Sequence, residues 1–235
     1  MERRRTPLKL LSLLACAALA GCGTAEAEKA ATWSAPATPR AKPSPTATPT
    51  RPAPTTVGEV RRQVKAAMVD LAGLRPETAD ISTEDTEAYK LAHPCRDSLP
   101  TDRKRSGYRS REWGADSDIW IRQYVVGYLK VPGRTLIGEL RATLKGCKSY
   151  REPDGRATTV LPMASPLKPA GRDTVAWCEK LVGSGNTGYL CTAVTARGNY
   201  VMEVNASESS NDQKQSEALL HKVYARALAT FTKVT

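Results

Sequence analysis

Aromatic residues and histidines are scarce in this chain of 235 residues. Aromatics make up 6% of it, Phe231 is the single phenylalanine, and the only histidines are His93 and His221. A hydrophobic core therefore has to rest mainly on aliphatic side chains, with the tryptophans and tyrosines added. Neither histidine has a nucleophile or a Glu-x-x-His pattern beside it, so the sequence gives no support for histidine-based catalysis.

A hydrophobic run long enough to span a membrane is also missing from the N-terminal segment. The apolar stretch Leu10–Ala20 has about half of the ~20 residues that a spanning helix needs. It follows a basic segment, residues 3–9, and ends in small residues, which is typical of a secretory signal. The tetrapeptide at 19–22, Leu-Ala-Gly-Cys, resembles the lipobox of bacterial lipoproteins.

The lipobox resemblance implies that residues 1–21 are a signal peptide and that the mature chain begins at Cys22. In such proteins the cysteine thiol receives diacylglycerol, which holds the chain on the extracytoplasmic face of the cell membrane. The alternative is an ordinary secreted protein in which Cys22 is incidental.

Residues 22–56 are predicted to be a disordered tether. Seven prolines lie between Ser34 and Thr56 among threonine, alanine and serine, with few apolar side chains to bury. Such a composition does not offset the entropy lost on ordering. In polyproline form, at ~3.1 Å per residue, the tether would reach on the order of 100 Å.

The chain is basic, with a formal net charge of +11, of which +8 remains once residues 1–21 are removed. An exported protein rarely meets nucleic acid, so anionic lipid headgroups or wall polymers are the favoured partners. The alternative is a solvated basic surface without a specific partner.

Four cysteines remain in the predicted domain: Cys95, Cys147, Cys178 and Cys191. An even number in an oxidising compartment predicts two disulfides, for which three pairings exist. We favour Cys95–Cys147 with Cys178–Cys191, since the second pair is thirteen positions apart across a predicted hairpin. The chain has no Cys-x-x-Cys pair of the kind that zinc sites use.

Residues 57–235 are predicted to form one α+β domain with a mainly antiparallel sheet. A capping-box pattern at Thr56–Glu59 begins a helix over 57–73. Residues 75–112 are polar and show only a short helical pattern at 83–91. The remaining periodicities predict a strand at 113–129, a helix at 136–147, strands at 158–163, 174–181, 189–195 and 200–205, and a helix at 216–234.

A basic cluster is interleaved with Tyr108 and Trp113, and we predict it to be a loop that contacts an anionic partner. Its members are Arg103, Lys104, Arg105, Arg109 and Arg111. The alternative is a mobile, solvated loop.

No catalytic set, metal site or cofactor site is predicted. Ser165–Lys168 matches Ser-x-x-Lys by letters, but Pro166 and Pro169 disfavour the helix that this motif needs. The glycines of Gly183–Gly188 precede no helix, so they indicate a hairpin and not a phosphate loop. Asp116 and Asp118 are interpreted as turn residues.

The lipobox, the tether and the four-cysteine domain together resemble actinobacterial lipoproteins of the sensor-domain type. The layout is similar to the extracellular sensor domain of the kinase PknH: a helix ending at Cys147, a cysteine pair around Trp177-Cys178 and Cys191, and a final helix. The resemblance implies a disulfide-linked, non-enzymatic domain with a cleft for an unknown ligand.

Two functional hypotheses follow. The first is a lipid-anchored, non-enzymatic sensor-like domain that binds a small or amphiphilic ligand outside the cytoplasm. The second is an interaction module that docks on an envelope protein or an anionic wall polymer through the basic cluster.

Overall fold

The computed structural model describes residues 52–71, 79–80, 91, 94–96, 98–115, 119–168, 173–183 and 185–235. The predicted signal peptide, Cys22, most of the tether, residues 83–90 of the short helical pattern, and Asp116 and Asp118 lie outside these ranges. Within the described part of the chain, no helix is both long and apolar enough to cross a membrane.

A single antiparallel sheet organises the described residues, with strand order β1-β2-β3-β8-β7-β6-β5-β4. The strands are β1 Ala79–Asp80, β2 Gly107–Ala115, β3 Ile119–Gly127, β4 Ser149–Arg151, β5 Ala157–Leu161, β6 Thr174–Gly183, β7 Asn186–Arg197 and β8 Tyr200–Glu208. After β3 the chain crosses to the far edge and returns strand by strand. The last strand, β8, therefore pairs with both β3 and β7 and joins the two halves of the sheet.

Helices cover both faces of the sheet. They are α1 Val57–Ala66, α2 Gly133–Gly146 and α3 Gln213–Val234, with short 3₁₀ turns at Pro94–Arg96 and Pro100–Lys104. Residues of α1 and α3 share one apolar core with the sheet, and residues of α2 share another. Alternate side chains of a strand point to opposite faces, so β8 contributes to both cores. Met202 and Val204 belong to the α1/α3 core, and Val201 belongs to the α2 core.

Both favoured disulfides are present. Cys178 and Cys191 are directly opposite each other on β6 and β7, and both are fully buried in the α1/α3 core. Cys95 joins Cys147 at the C-terminal end of α2, with Cα atoms 5.9 Å apart. Cys95 has a left-handed backbone, with φ of 59°. The Cys95–Cys147 disulfide connects α2 to the segment that precedes β2.

The predicted α+β class with a mainly antiparallel sheet is confirmed, and two of the predicted elements differ most from the structure. The first helix ends at Ala66 and not at residue 73, because the backbone after Ala67 leaves the helix and buries Met68 and Val69. The strand predicted from residue 113 is two strands, since Trp113 belongs to β2 and pairs with Ile121 of β3.

Two glycines allow α1 to lie directly on the sheet. Gly107 and Gly127 are register partners on β2 and β3. A Cβ atom added at Gly127 would come 2.5 Å from Val60 Cγ1 and 2.8 Å from Tyr200 Cε1, and one at Gly107 would come 3.1 Å from Val60 Cγ1. We call this pair the glycine notch. Its lack of side chains is what lets Val60 reach the backbone of the sheet.

We predict that Gly127→Ala destabilises the protein by about 1–3 kcal/mol, because the added methyl overpacks the notch and pushes α1 away from the sheet. Urea unfolding of the two proteins measures the difference. Gly138→Ala is the matched control, since Gly138 is on the exposed side of α2 with no atom within 4 Å of the added Cβ. That change should stabilise by roughly 0.5–1 kcal/mol through helix propensity. Equal stability of Gly127→Ala and the unchanged protein would contradict the notch.

Candidate functional site

The helix α1 forms one wall of the candidate site, and its N-terminus is capped by the predicted residues. Thr56 Oγ1 accepts a hydrogen bond from the Glu59 backbone N–H at 3.1 Å, and the Glu59 carboxylate accepts one from the Thr55 N–H at 3.0 Å. Val60 and Val64 are buried against the sheet. Arg61 and Lys65 are four residues apart and exposed, so they share one side of the helix.

The C-terminal end of α1 is fixed by a buried glutamine. Gln123 of β3 is fully buried; its Oε1 accepts from the Val69 N–H at 2.8 Å, and its Nε2 donates to the Ala67 carbonyl at 3.2 Å. One side chain therefore satisfies a carbonyl that the end of the helix leaves unpaired and an N–H of the segment that follows it. Together with the glycine notch, it sets the position of α1 over β2 and β3.

The facing wall is the entry into β2, which α2 and β3 hold in place. Thr101 donates to the Glu139 carboxylate of α2 twice, from its N–H at 3.2 Å and its hydroxyl at 2.7 Å. The Ser106 N–H donates to the Gly127 carbonyl at 2.8 Å, and Ser106 Oγ accepts from the Leu129 N–H at 3.2 Å. These hydrogen bonds hold residues 102–105 at the edge of the sheet.

The guanidinium of Arg105 lies over a tyrosine ring at this wall. It is 5.1 Å from the centre of the Tyr108 ring, and the centres of the tilted Tyr108 and Tyr124 rings are 6.0 Å apart. Both rings pack with the core on the α2 side of the sheet. Burial raises the pKa of the Tyr124 phenol well above its usual range, although the Arg105 charge opposes the rise.

Between the two walls lies a groove of about 680 Å³. It is lined by Arg61, Val64, Lys65, Arg105, Ser106, Gly107, Tyr108 and Arg109. Four of these side chains are cationic, and none of the described residues that line the groove is acidic. We call it the α1–β2 groove. Its size is within the range of small-molecule sites, about 300–1,000 Å³.

The predicted basic cluster is divided by the fold. Arg105 and Arg109 line the α1–β2 groove, whereas Arg103 and Lys104 are exposed on the 3₁₀ turn outside it. Arg111 is half-buried in β2, and its guanidinium lies 5.9 Å from the centre of the Trp113 ring. The interpretation of this cluster as one loop is wrong, because Arg109 and Arg111 belong to a nine-residue strand.

Arg61 and Lys65 were not predicted to belong with this cluster. They line the same groove as Arg105 and Arg109 because α1 packs across β2, a contact between segments about 45 positions apart. The available hint was the pair of basic residues at i and i+4 in the first predicted helix.

Buried polar residues on the other face of the sheet form a separate row across β3, β8 and β7. Arg122 Nε donates to Asn205 Oδ1 at 3.2 Å, and Asn205 Nδ2 donates to Thr192 Oγ1 at 2.9 Å. Arg122 Nη2 also lies 3.5 Å from Glu203 Oε1, an ion-pair distance without hydrogen-bond geometry. Because these groups compensate one another, we assign the row a structural role.

Other sequence features do not assemble into a reactive site. Ser165–Lys168 lies outside every helix, and the Ser165 N–H donates to the buried Glu217 carboxylate at 3.2 Å. His221 is half-buried on α3, and its Nε2 makes no hydrogen bond within the described chain. The described residues contain no group of three His, Cys, Asp or Glu side chains placed to hold a metal ion.

No family model and no curated protein sequence matches this chain. Among solved structures, the crystal structure of the extracellular domain of PknH from Mycobacterium tuberculosis is similar to it, with a TM-score of 0.50 and 14% sequence identity. The match covers 74% of this chain and 95% of that one. At this identity the likeness shows the fold, and the predicted resemblance in layout to this domain is confirmed at that level.

Proposed function

We propose that this chain is a lipid-anchored, non-enzymatic sensor-like domain that binds a small or amphiphilic ligand on the extracytoplasmic face of the membrane. The α1–β2 groove carries the proposal, because it combines ligand-sized volume with four cations on two fixed walls. The fold shared with the extracellular domain of PknH supports a location outside the cytoplasm. The lipobox supports the anchor at Cys22.

Docking on an envelope protein or an anionic wall polymer is the second candidate. It is favoured by Arg103 and Lys104, which are exposed on the turn outside the groove. Such a partner would contact these two side chains, whereas a ligand inside the groove would contact Arg61 and Arg109 instead.

We predict that Cys22→Ala releases the protein from membranes, because the thiol that receives the lipid is lost. Fractionation of cells that express the full chain, with detection in membrane and soluble fractions, measures the effect. Cys16→Ala is the matched control: Cys16 lies in the segment that is removed, so this variant should stay on the membrane. Membrane retention of Cys22→Ala would contradict the lipoprotein assignment.

We further predict that the mature chain co-purifies with a ligand held in the groove. The chain with Cys22→Ala, exported from an actinobacterial host behind a cleavable signal, should show extra mass in native mass spectrometry that leaves on denaturation. The double variant Arg61→Ala/Arg109→Ala should lose that mass, since two groove cations are removed from opposite walls.

Arg62→Ala/Arg226→Ala is the control for this experiment, because both side chains are exposed and neither lines the groove. It removes the same charge and should retain the ligand. If the chain without groove substitutions shows no extra mass, ligand binding is contradicted and the docking alternative is favoured. Equal loss in both double variants would contradict the groove as the site.

A further inference from the structure

We propose that the α1–β2 groove recognises a phosphate group carried by an organic molecule. This inference rests on the proposed ligand-binding function and names the chemical class of the ligand. Its basis is the charge, the hydrogen-bond donors and the volume of the groove.

The charge of the groove favours an anionic ligand. Arg61, Lys65, Arg105 and Arg109 line one space of about 680 Å³. Arg105 also lines a smaller cavity with the buried acid Asp102, so it faces an acid as well as the groove. A phosphate carries one negative charge as a diester and roughly −1.5 to −2 as a monoester at neutral pH, so either form would offset positive charge here.

The donors of the groove also suit a phosphate. Three of the four cations are arginines, whose planar guanidinium groups donate two parallel hydrogen bonds to phosphate or carboxylate oxygens. They come from opposite walls, Arg61 from α1 and Arg105 and Arg109 from the β2 side. A tetrahedral group with several oxygens accepts from both walls at once, which a planar carboxylate does less well.

The size of the groove indicates more than a free phosphate ion. Its volume is in the range that holds drug-sized molecules, well above what free phosphate fills. Val64 is buried, and the Tyr108 ring packs with Tyr124 on the α2 side of the sheet, so the exposed lining is mainly cationic. The phosphate would therefore be part of a larger organic molecule.

Two sources supply this chemistry outside the cytoplasm: an anionic phospholipid of the membrane and a soluble phosphorylated compound. The test uses the mature chain with Cys22→Ala and two probes. Co-sedimentation with vesicles of phosphatidylcholine alone, or with added phosphatidylglycerol, reports the lipid source. Calorimetric titration with glycerol 1-phosphate reports the soluble source. Both are repeated for Arg61→Ala, Arg109→Ala and Arg62→Ala.

We expect at least one phosphorylated probe to bind, and we expect Arg61→Ala and Arg109→Ala each to weaken that binding by about tenfold or more, since a charge-assisted contact is lost. Arg62→Ala, on the same helix but outside the groove, should stay within about threefold, because it changes only the surrounding field. Binding to the phosphatidylglycerol vesicles, without binding of glycerol 1-phosphate, identifies a phospholipid headgroup. Binding of glycerol 1-phosphate identifies a soluble ligand. Either result supports the proposal.

Three results would overturn the inference. If neither probe binds while a ligand without phosphate is found by native mass spectrometry, the ligand-binding function stands and the phosphate assignment falls. If Arg62→Ala weakens binding as much as Arg61→Ala, the attraction belongs to the basic surface in general and the groove is not a site. If no ligand of any kind is found, the proposed function itself falls.

Discussion

The close approach of α1 to the sheet is the constraint on which the groove depends. Val60 reaches the backbone at the paired Gly107 and Gly127, and Gln123 holds the opposite end of the helix through the Val69 N–H and the Ala67 carbonyl. The contact at the glycines is apolar packing, and the contact at Gln123 is a pair of buried hydrogen bonds. If either contact were lost, the cations of α1 would no longer be held opposite those of β2.

The groove brings like charges close together, which the stability of the fold alone would not favour. Arg61 and Lys65 are like charges at i and i+4, an arrangement that destabilises a helix by roughly 0.2–0.5 kcal/mol. Arg109 faces them from an edge region of β2, where among the described strands only β3 pairs with residues 107–112. Charged residues on such an edge discourage pairing with other chains. Edge protection accounts for the positive charge on β2 but not for the positive charge on α1, whereas the proposed anion would account for both.

Much of the fold was predictable from the sequence because it is recorded in local patterns. Along β6, for example, alternation of side chains puts Cys178 and Trp177 on opposite faces, and they belong to different cores in the structure. The strand β2 was missed because its side chains are mostly polar or charged and its pairing with β3 supplies the order. The groove was missed for a related reason: a pocket between α1 and β2 is set by a long-range contact through two glycines, which leave no periodic signal.

The most direct test of this account is amide hydrogen exchange on the mature, lipidated chain in nanodiscs. Phosphatidylcholine nanodiscs would be compared with the same nanodiscs after addition of glycerol 1-phosphate, and with nanodiscs that contain phosphatidylglycerol. The account predicts slower exchange at residues 60–67 and 105–109 with at least one of these probes, and unchanged exchange in α2 and α3. Unchanged exchange in both groove segments with every probe, or slower exchange confined to other segments, would contradict it.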